Sequence, residues 1–113
     1  MSTEDPAQSA AHAGGTASDI PIEPQSLEWM RRLVAIPSIS GTSNLGVIEL
    51  IEAEFARYGY TGQRTYNADQ TRANLWVTVP AADGSTEGGI VISGHTDVVP
   101  VEGQTWDSDP FTL

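Results

Sequence analysis

Cysteine is absent from this 113-residue chain, and so is lysine: all five basic residues are arginine. The first absence excludes disulfides and any thiolate metal site, so a metal here would have to be held by histidine and carboxylate. The second leaves fifteen Asp and Glu against five Arg, a net charge of -10. Phosphate contacts need a basic face, so nucleic acid and an anionic membrane surface are not expected partners. The acidity speaks to solubility rather than to fold. No apolar run approaches the roughly 20 residues that span a bilayer. The opening Met1-Ser2-Thr3-Glu4-Asp5 lacks the apolar core of a signal peptide, and a cytoplasmic location is expected. Histidine is scarce too, with only His12 and His95.

What is present divides at about residue 22. Residues 1–22 are rich in Ala, Ser, Gly, Thr and Pro without periodicity and are expected to be a disordered tail, in which His12 is solvated and inert. Residues 23–113 are expected to run helix, helix, strand, strand, strand, compatible with an α/β layer and with the opening of a fold rather than a whole one. A first helix is expected over 26–35, with Ser26 as N-cap, Glu28 in its first turn and an apolar stripe of Leu27, Met30, Leu33 and Val34. Pro37 ends it, because the residue before a proline is pushed out of the helical region. The stretch 36–41 then reads as a loop.

A second helix is expected over 44–58. It is capped by Thr42, Ser43 or Asn44, striped by Ile48, Ile51, Phe55 and Tyr58, and stopped by Gly59. Strands are expected over 60–66 and 73–79, with a turn at Pro80 and Asp83-Gly84-Ser85. The near-continuous apolar run 89–93 suits a strand buried on both faces.

That last run leads into Gly94-His95-Thr96-Asp97. In extended backbone His95 and Asp97 point to the same side. A neutral imidazole is the commonest metal ligand, and a carboxylate beside it can accept its other N–H and fix its tautomer. Read from spacing alone, such a pair is either a metal ligand with its orienting acid or a hydrogen-bonded structural pair. A strand end before it, Gly94 allowing close backbone approach, and Pro100 stiffening the exit loop favour the metal. Zinc needs three or four protein ligands, so His95 would be one corner of a larger site. Glu102, Asp107 and Asp109 follow in a loop with Trp106 and Phe111, aromatics expected to pack that loop rather than touch a substrate.

The run Ser93-Gly94-His95-Thr96-Asp97-Val98-Val99-Pro100, with Trp106-Asp107-Ser108-Asp109-Pro110-Phe111 after it, closely resembles the N-terminal part of the M20 metallopeptidases. Leu33-Val34-Ala35-Ile36-Pro37-Ser38 and Ala73-Asn74-Leu75 agree with that family. Ser43-Asn44-Leu45, leading into Ile48-Glu49, and Asp109-Pro110-Phe111-Thr112-Leu113 look most like its acetylornithine deacetylase branch. The resemblance covers about residues 26–113. It implies an N-terminal fragment of a zinc-exopeptidase-like catalytic domain, a mixed α/β sheet flanked by helices. It implies a site of two zinc ions, with cobalt as an alternative, acting on a small N-acyl amino acid in a full-length homodimer. His95 would be a ligand of one zinc and Asp97 the acid that orients it. The family's bridging carboxylate, glutamate pair and second histidine have no counterpart in residues 26–113, which are expected to expose strand edges and an apolar sheet face. A desuccinylase of succinyl-diaminopimelate and a dipeptidase are alternatives on the same scaffold. A non-catalytic binding or assembly module is the alternative of another class.

Overall fold

The computed structural model describes residues 21–113, so His12 and nearly all of the expected 1–22 tail lie outside the described residues. Four elements follow in order: α1 (Pro24–Val34), α2 (Leu45–Arg57), β1 (Gly62–Tyr66) and β2 (Ala73–Val77).

α1 begins two residues before the expected start. Pro24 takes the first helical position, where its missing N–H costs nothing and its fixed φ suits the helix. Glu23, not Ser26, caps it, accepting the Gln25 N–H at 3.0 Å. Glu28 consequently falls outside the first turn. The expected stripe is only partly covered: no residue of α1 is buried, and Met30 is 45% exposed. On its outer side the Arg32 guanidinium lies 4.3 Å from the Trp29 ring centroid, a cation–π contact.

α2 supplies the core. Val47 and Ile48 are buried, and Ile51 and Phe55 half-buried, while Tyr58 at the end of the expected stripe is exposed. Gly59 follows at φ 84°, the left-handed conformation that ends helices and that glycine takes without a Cβ clash. β1 and β2 pair antiparallel from Gly62 opposite Val77 to Tyr66 opposite Ala73. Ala73, buried like Val47 and Ile48, is the strand's contribution to the core. Arg64 of β1 bonds Glu52 of α2 through Nε at 3.0 Å and again through Nη2, tying the hairpin to the helix.

The hairpin connection is held by side chains. Asn67 N–H donates to the Arg72 carbonyl and Arg72 N–H to Asn67 Oδ1, both at 2.9 Å. Asp69 Oδ1 accepts from Thr71 Oγ1 at 2.6 Å and from Thr71 N at 3.2 Å. These Thr71 bonds, the hydroxyl's first, hold the Asp69 carboxyl below its ordinary value of 3.8. Folding thus favours the ionised form. Its contribution is present above that ordinary value and is lost as pH falls through the lower folded value. A carboxyl-carbon NMR titration is expected to give Asp69 a midpoint below 3.8, moved upward by Thr71→Val. A midpoint at or above 3.8 would contradict the turn geometry.

The turn at Gly84 forms as expected, with Gly84 N–H donating to the Ala81 carbonyl and Ser85 N–H to Asp83 Oδ1, both at 2.9 Å. The strand expected over 89–93 does not form. Ile90 and Ile92 are 91% and 94% exposed, and no β-pairing reaches them among the described residues. A strand is a property of a pair: its amides need a neighbouring ladder and its apolar faces need covering layers. The described fold is therefore a small α/β unit of two helices and a two-stranded antiparallel sheet. Apolar exposure is spread along the described residues and is highest at Ile90 and Ile92.

Candidate metal centre

The loop expected over 36–41 turns out to be the support on which His95 rests. After the helix-ending Pro37, Ile39 forms a parallel bridge with Val98, and Ser40 enters the turn closed by the Thr42 N–H on the Ile39 carbonyl at 2.9 Å. Val98 N–H donates to the Ser38 carbonyl at 3.0 Å, and Ser40 N–H donates to the Val98 carbonyl at 2.8 Å. Ser38 is buried, and its hydroxyl donates to the Thr96 carbonyl, so the buried oxygen is satisfied.

Asn44, just before α2, is one of the three residues expected as alternative helix caps. It makes no side-chain cap bond. Its amide instead clasps β2: Nδ2 donates to the Ala73 carbonyl and Oδ1 accepts the Ala73 N–H, both at 2.9 Å. Nδ2 also lies 3.5 Å from Thr96 Oγ1. Among the described residues, the hydrogen bonds that tie residues 88–113 to the rest of the chain all fall on Thr96, Asp97 and Val98. The His-x-Asp stretch is thus the attachment point of that whole segment.

The placement at the end of a buried strand is therefore corrected to a single-bridge rib at the surface. The close approach expected at Gly94 is corrected as well, since a Cβ there would meet nothing within 4 Å. The expected pairing of the two side chains is present. His95 Nδ1 lies 3.0 Å from Asp97 Oδ1 and 3.0 Å from the Asp97 carbonyl. Both are acceptors, so Nδ1 carries a proton, and in the neutral imidazole Nε2 keeps its lone pair. No hydrogen bond among the described residues engages Nε2. The ring is 86% exposed and stands where two open clefts of about 800 and 570 Å³ meet. One cleft reaches along Leu75 and Ile92, the other toward Leu33 and Phe111.

Asp97 is anchored at both oxygens, with Oδ2 accepting from Ser40 Oγ at 2.6 Å. Ser40 first, and His95 second, hold the Asp97 carboxyl below its ordinary range. An ionised carboxylate against Nδ1 is the arrangement that fixes a metal-binding tautomer. One imidazole nitrogen with an ordered acid behind it fits one corner of a zinc site. Among the described residues no three His, Asp or Glu side chains gather to complete it. Asp109 accepts the Phe111 N–H at 2.8 Å and is spent on its own turn. Trp106 Nε1 donates to the Val101 carbonyl at 3.2 Å within its own loop, while the residue stays 49% exposed.

Ser38, Ser40 and the strand-clasping role of Asn44 were not foreseen. The available signal was Ser-Ile-Ser after Pro37, two hydroxyls at a spacing that puts both on one side of extended backbone.

No family model matches the chain, and no solved structure matches it. Among the described residues no helix is long and apolar enough to cross a membrane. Curated proteins named acetylornithine deacetylase do match. The one from Erwinia tasmaniensis is 36% identical over 97 residues, covering 80% of this chain and 24% of the relative. That from Salmonella arizonae is 34% identical over 97 residues with the same coverage. That from Salmonella agona is 34% identical over 99 residues, covering 81% of this chain and 25% of the relative. The chain thus spans about a quarter of the length of the curated relatives it matches. The ordered His95–Asp97 pair stands in a sequence that, over four fifths of its length, is related to a quarter of acetylornithine deacetylase, consistent with a fragment of an M20-like deacetylase.

Proposed function

We propose that this chain carries one corner of the metal centre of an M20-type amidohydrolase. The complete enzyme hydrolyses N-acetyl-L-ornithine to L-ornithine and acetate. The observation that carries this reading is the exposed His95, its Nδ1 occupied by Asp97 and its Nε2 free, in a sequence similar to acetylornithine deacetylases.

His95 Nε2 would hold zinc, and Asp97, by accepting the Nδ1 proton, raises the basicity of that nitrogen. Bound zinc supplies Lewis acidity toward an amide carbonyl and lowers the pKa of a coordinated water. The Asp97 carboxylate keeps the imidazole aimed, and Ser38, through Thr96, keeps the rib under it in register. Desolvation at the ring falls to whatever covers the two clefts, because the ring itself is exposed.

The test is a chimera in which this chain replaces the segment it matches in the Erwinia tasmaniensis deacetylase. With added zinc the chimera is expected to hydrolyse N-acetyl-L-ornithine in preference to N-succinyl-diaminopimelate. The 113-residue chain alone is expected to hydrolyse neither, since a catalytic zinc needs three protein ligands. A folded chimera that binds zinc yet cleaves neither substrate would refute the proposal, and preference for the succinyl substrate would reassign the specificity.

A further inference from the structure

The Asp97 carboxylate is more than half exposed. On its own such a group turns freely about its last side-chain bond, and water competes for both its oxygens. Here it is held at two points. Oδ1 faces His95 Nδ1 at 3.0 Å and Oδ2 accepts from Ser40 Oγ at 2.6 Å. Two bonds at the two oxygens fix the carboxylate plane, which one bond cannot do.

Ser40 is itself fixed by the bridge, through its N–H on the Val98 carbonyl at 2.8 Å. Its hydroxyl has one proton and two acceptors within reach, Asp97 Oδ2 at 2.6 Å and the Val98 carbonyl at 3.1 Å. The nearer, anionic acceptor makes the stronger bond. The two residues lie 57 positions apart in the sequence, so the contact is a product of the fold and not of local chain geometry.

We propose that Ser40 is a positioning residue for the metal centre, clamping the Asp97 carboxylate so that it holds the Nδ1–H tautomer of His95 and leaves Nε2 free. The relevance to catalysis rests on His95 being a metal ligand. The positioning itself does not.

The test uses the full chain labelled with ¹⁵N at histidine, above the histidine titration range. Long-range proton–nitrogen correlation reads the tautomer of His95, whose signals are identified by their loss in His95→Ala. The wild type is expected to show protonated Nδ1. Ser40→Ala is expected to show a mixture in which protonated Nε2 is populated, and Ser40→Thr, which keeps the hydroxyl, to restore the wild-type pattern.

An unchanged tautomer in Ser40→Ala would overturn the proposal, as would its loss in a Ser40→Thr chain whose amide spectrum remains folded. The Thr variant keeps the question open to refutation even if the Ala variant unfolds. In the deacetylase chimera, Ser40→Ala is expected to weaken zinc binding by less than the roughly 10–100-fold that loss of the acid directly behind the ligand costs. A tautomer that responds to Ser40 in a chimera whose zinc affinity is indifferent to His95 would sink the metal reading and leave the clamp standing. A zinc site that needs His95 while its tautomer ignores Ser40 would do the reverse.

Discussion

His95→Ala in the deacetylase chimera is expected to reduce zinc-dependent hydrolysis by more than the roughly 10–100-fold that loss of a partner behind a ligand costs. Asp97→Ala is expected to fall within that range. The order follows from geometry. His95 offers the nitrogen that no hydrogen bond among the described residues engages, whereas Asp97 acts on the other ring nitrogen, 3.0 Å away. Removing the ring removes a donor; removing the acid leaves the donor but frees its tautomer and orientation. Asp97→Asn is the informative control. Its amide still accepts a hydrogen bond but carries no charge, so it separates orientation from raised basicity. Zinc titration alongside steady-state rates decides the matter. Equal losses for His95→Ala and Asp97→Ala would mean that the acid is itself a ligand. No loss for His95→Ala would remove the ring from the centre altogether.

Asn44→Ala is expected to destabilise the fold by about 2–4 kcal/mol, measured as a shift of the urea midpoint. The Asn44 amide does for Ala73 what a neighbouring strand would do, accepting its N–H and donating to its carbonyl, both at 2.9 Å. Ala73 is 4% exposed, so truncation strands two backbone groups that water reaches poorly. A buried group left unpaired costs about 1–3 kcal/mol. Two further substitutions distinguish this from helix capping, the role the sequence alone suggests for Asn44. Serine is a good N-cap but too short to span both bonds, so Asn44→Ser is expected to be nearly as damaging as alanine. Asn44→Asp keeps the acceptor and loses the donor, and is expected to fall between. Full stability in Asn44→Ser would mean that the residue is a cap after all.

These two residues also mark where the sequence was legible and where it was not. The body of both helices, the stop at Gly59, the hairpin strands and the turn at Gly84 were readable because their signals are local: an apolar stripe, a glycine in the left-handed region, alternation, an Asp-Gly pair. The start of α1 was misread because Pro24 and Glu23 outweigh the more familiar cap at Ser26. The run 89–93 was misread because apolar β-formers state a preference that only a pairing partner realises. His95 and Asp97 were visible as a pair, since two residues of extended chain fix their relation. Their supports were not, because Asn44 meets Ala73 across 29 positions and Ser40 meets Asp97 across 57. A contact of that kind is set by how elements pack, and no short window of residues contains it.

The rib beneath His95 also has an arithmetic of its own. Ser38 and Ser40 flank the bridged Ile39, and their hydroxyls bond successive residues of the facing stretch, Thr96 and Asp97. Sliding this stretch by one residue would put Pro37 and Ile39, or Ile39 and Gly41, where the two hydroxyls now stand and cut both hydroxyl bonds together. The seat of the imidazole is thus counted residue by residue: gaining or losing one between Ser38 and Ser40 would dislodge it.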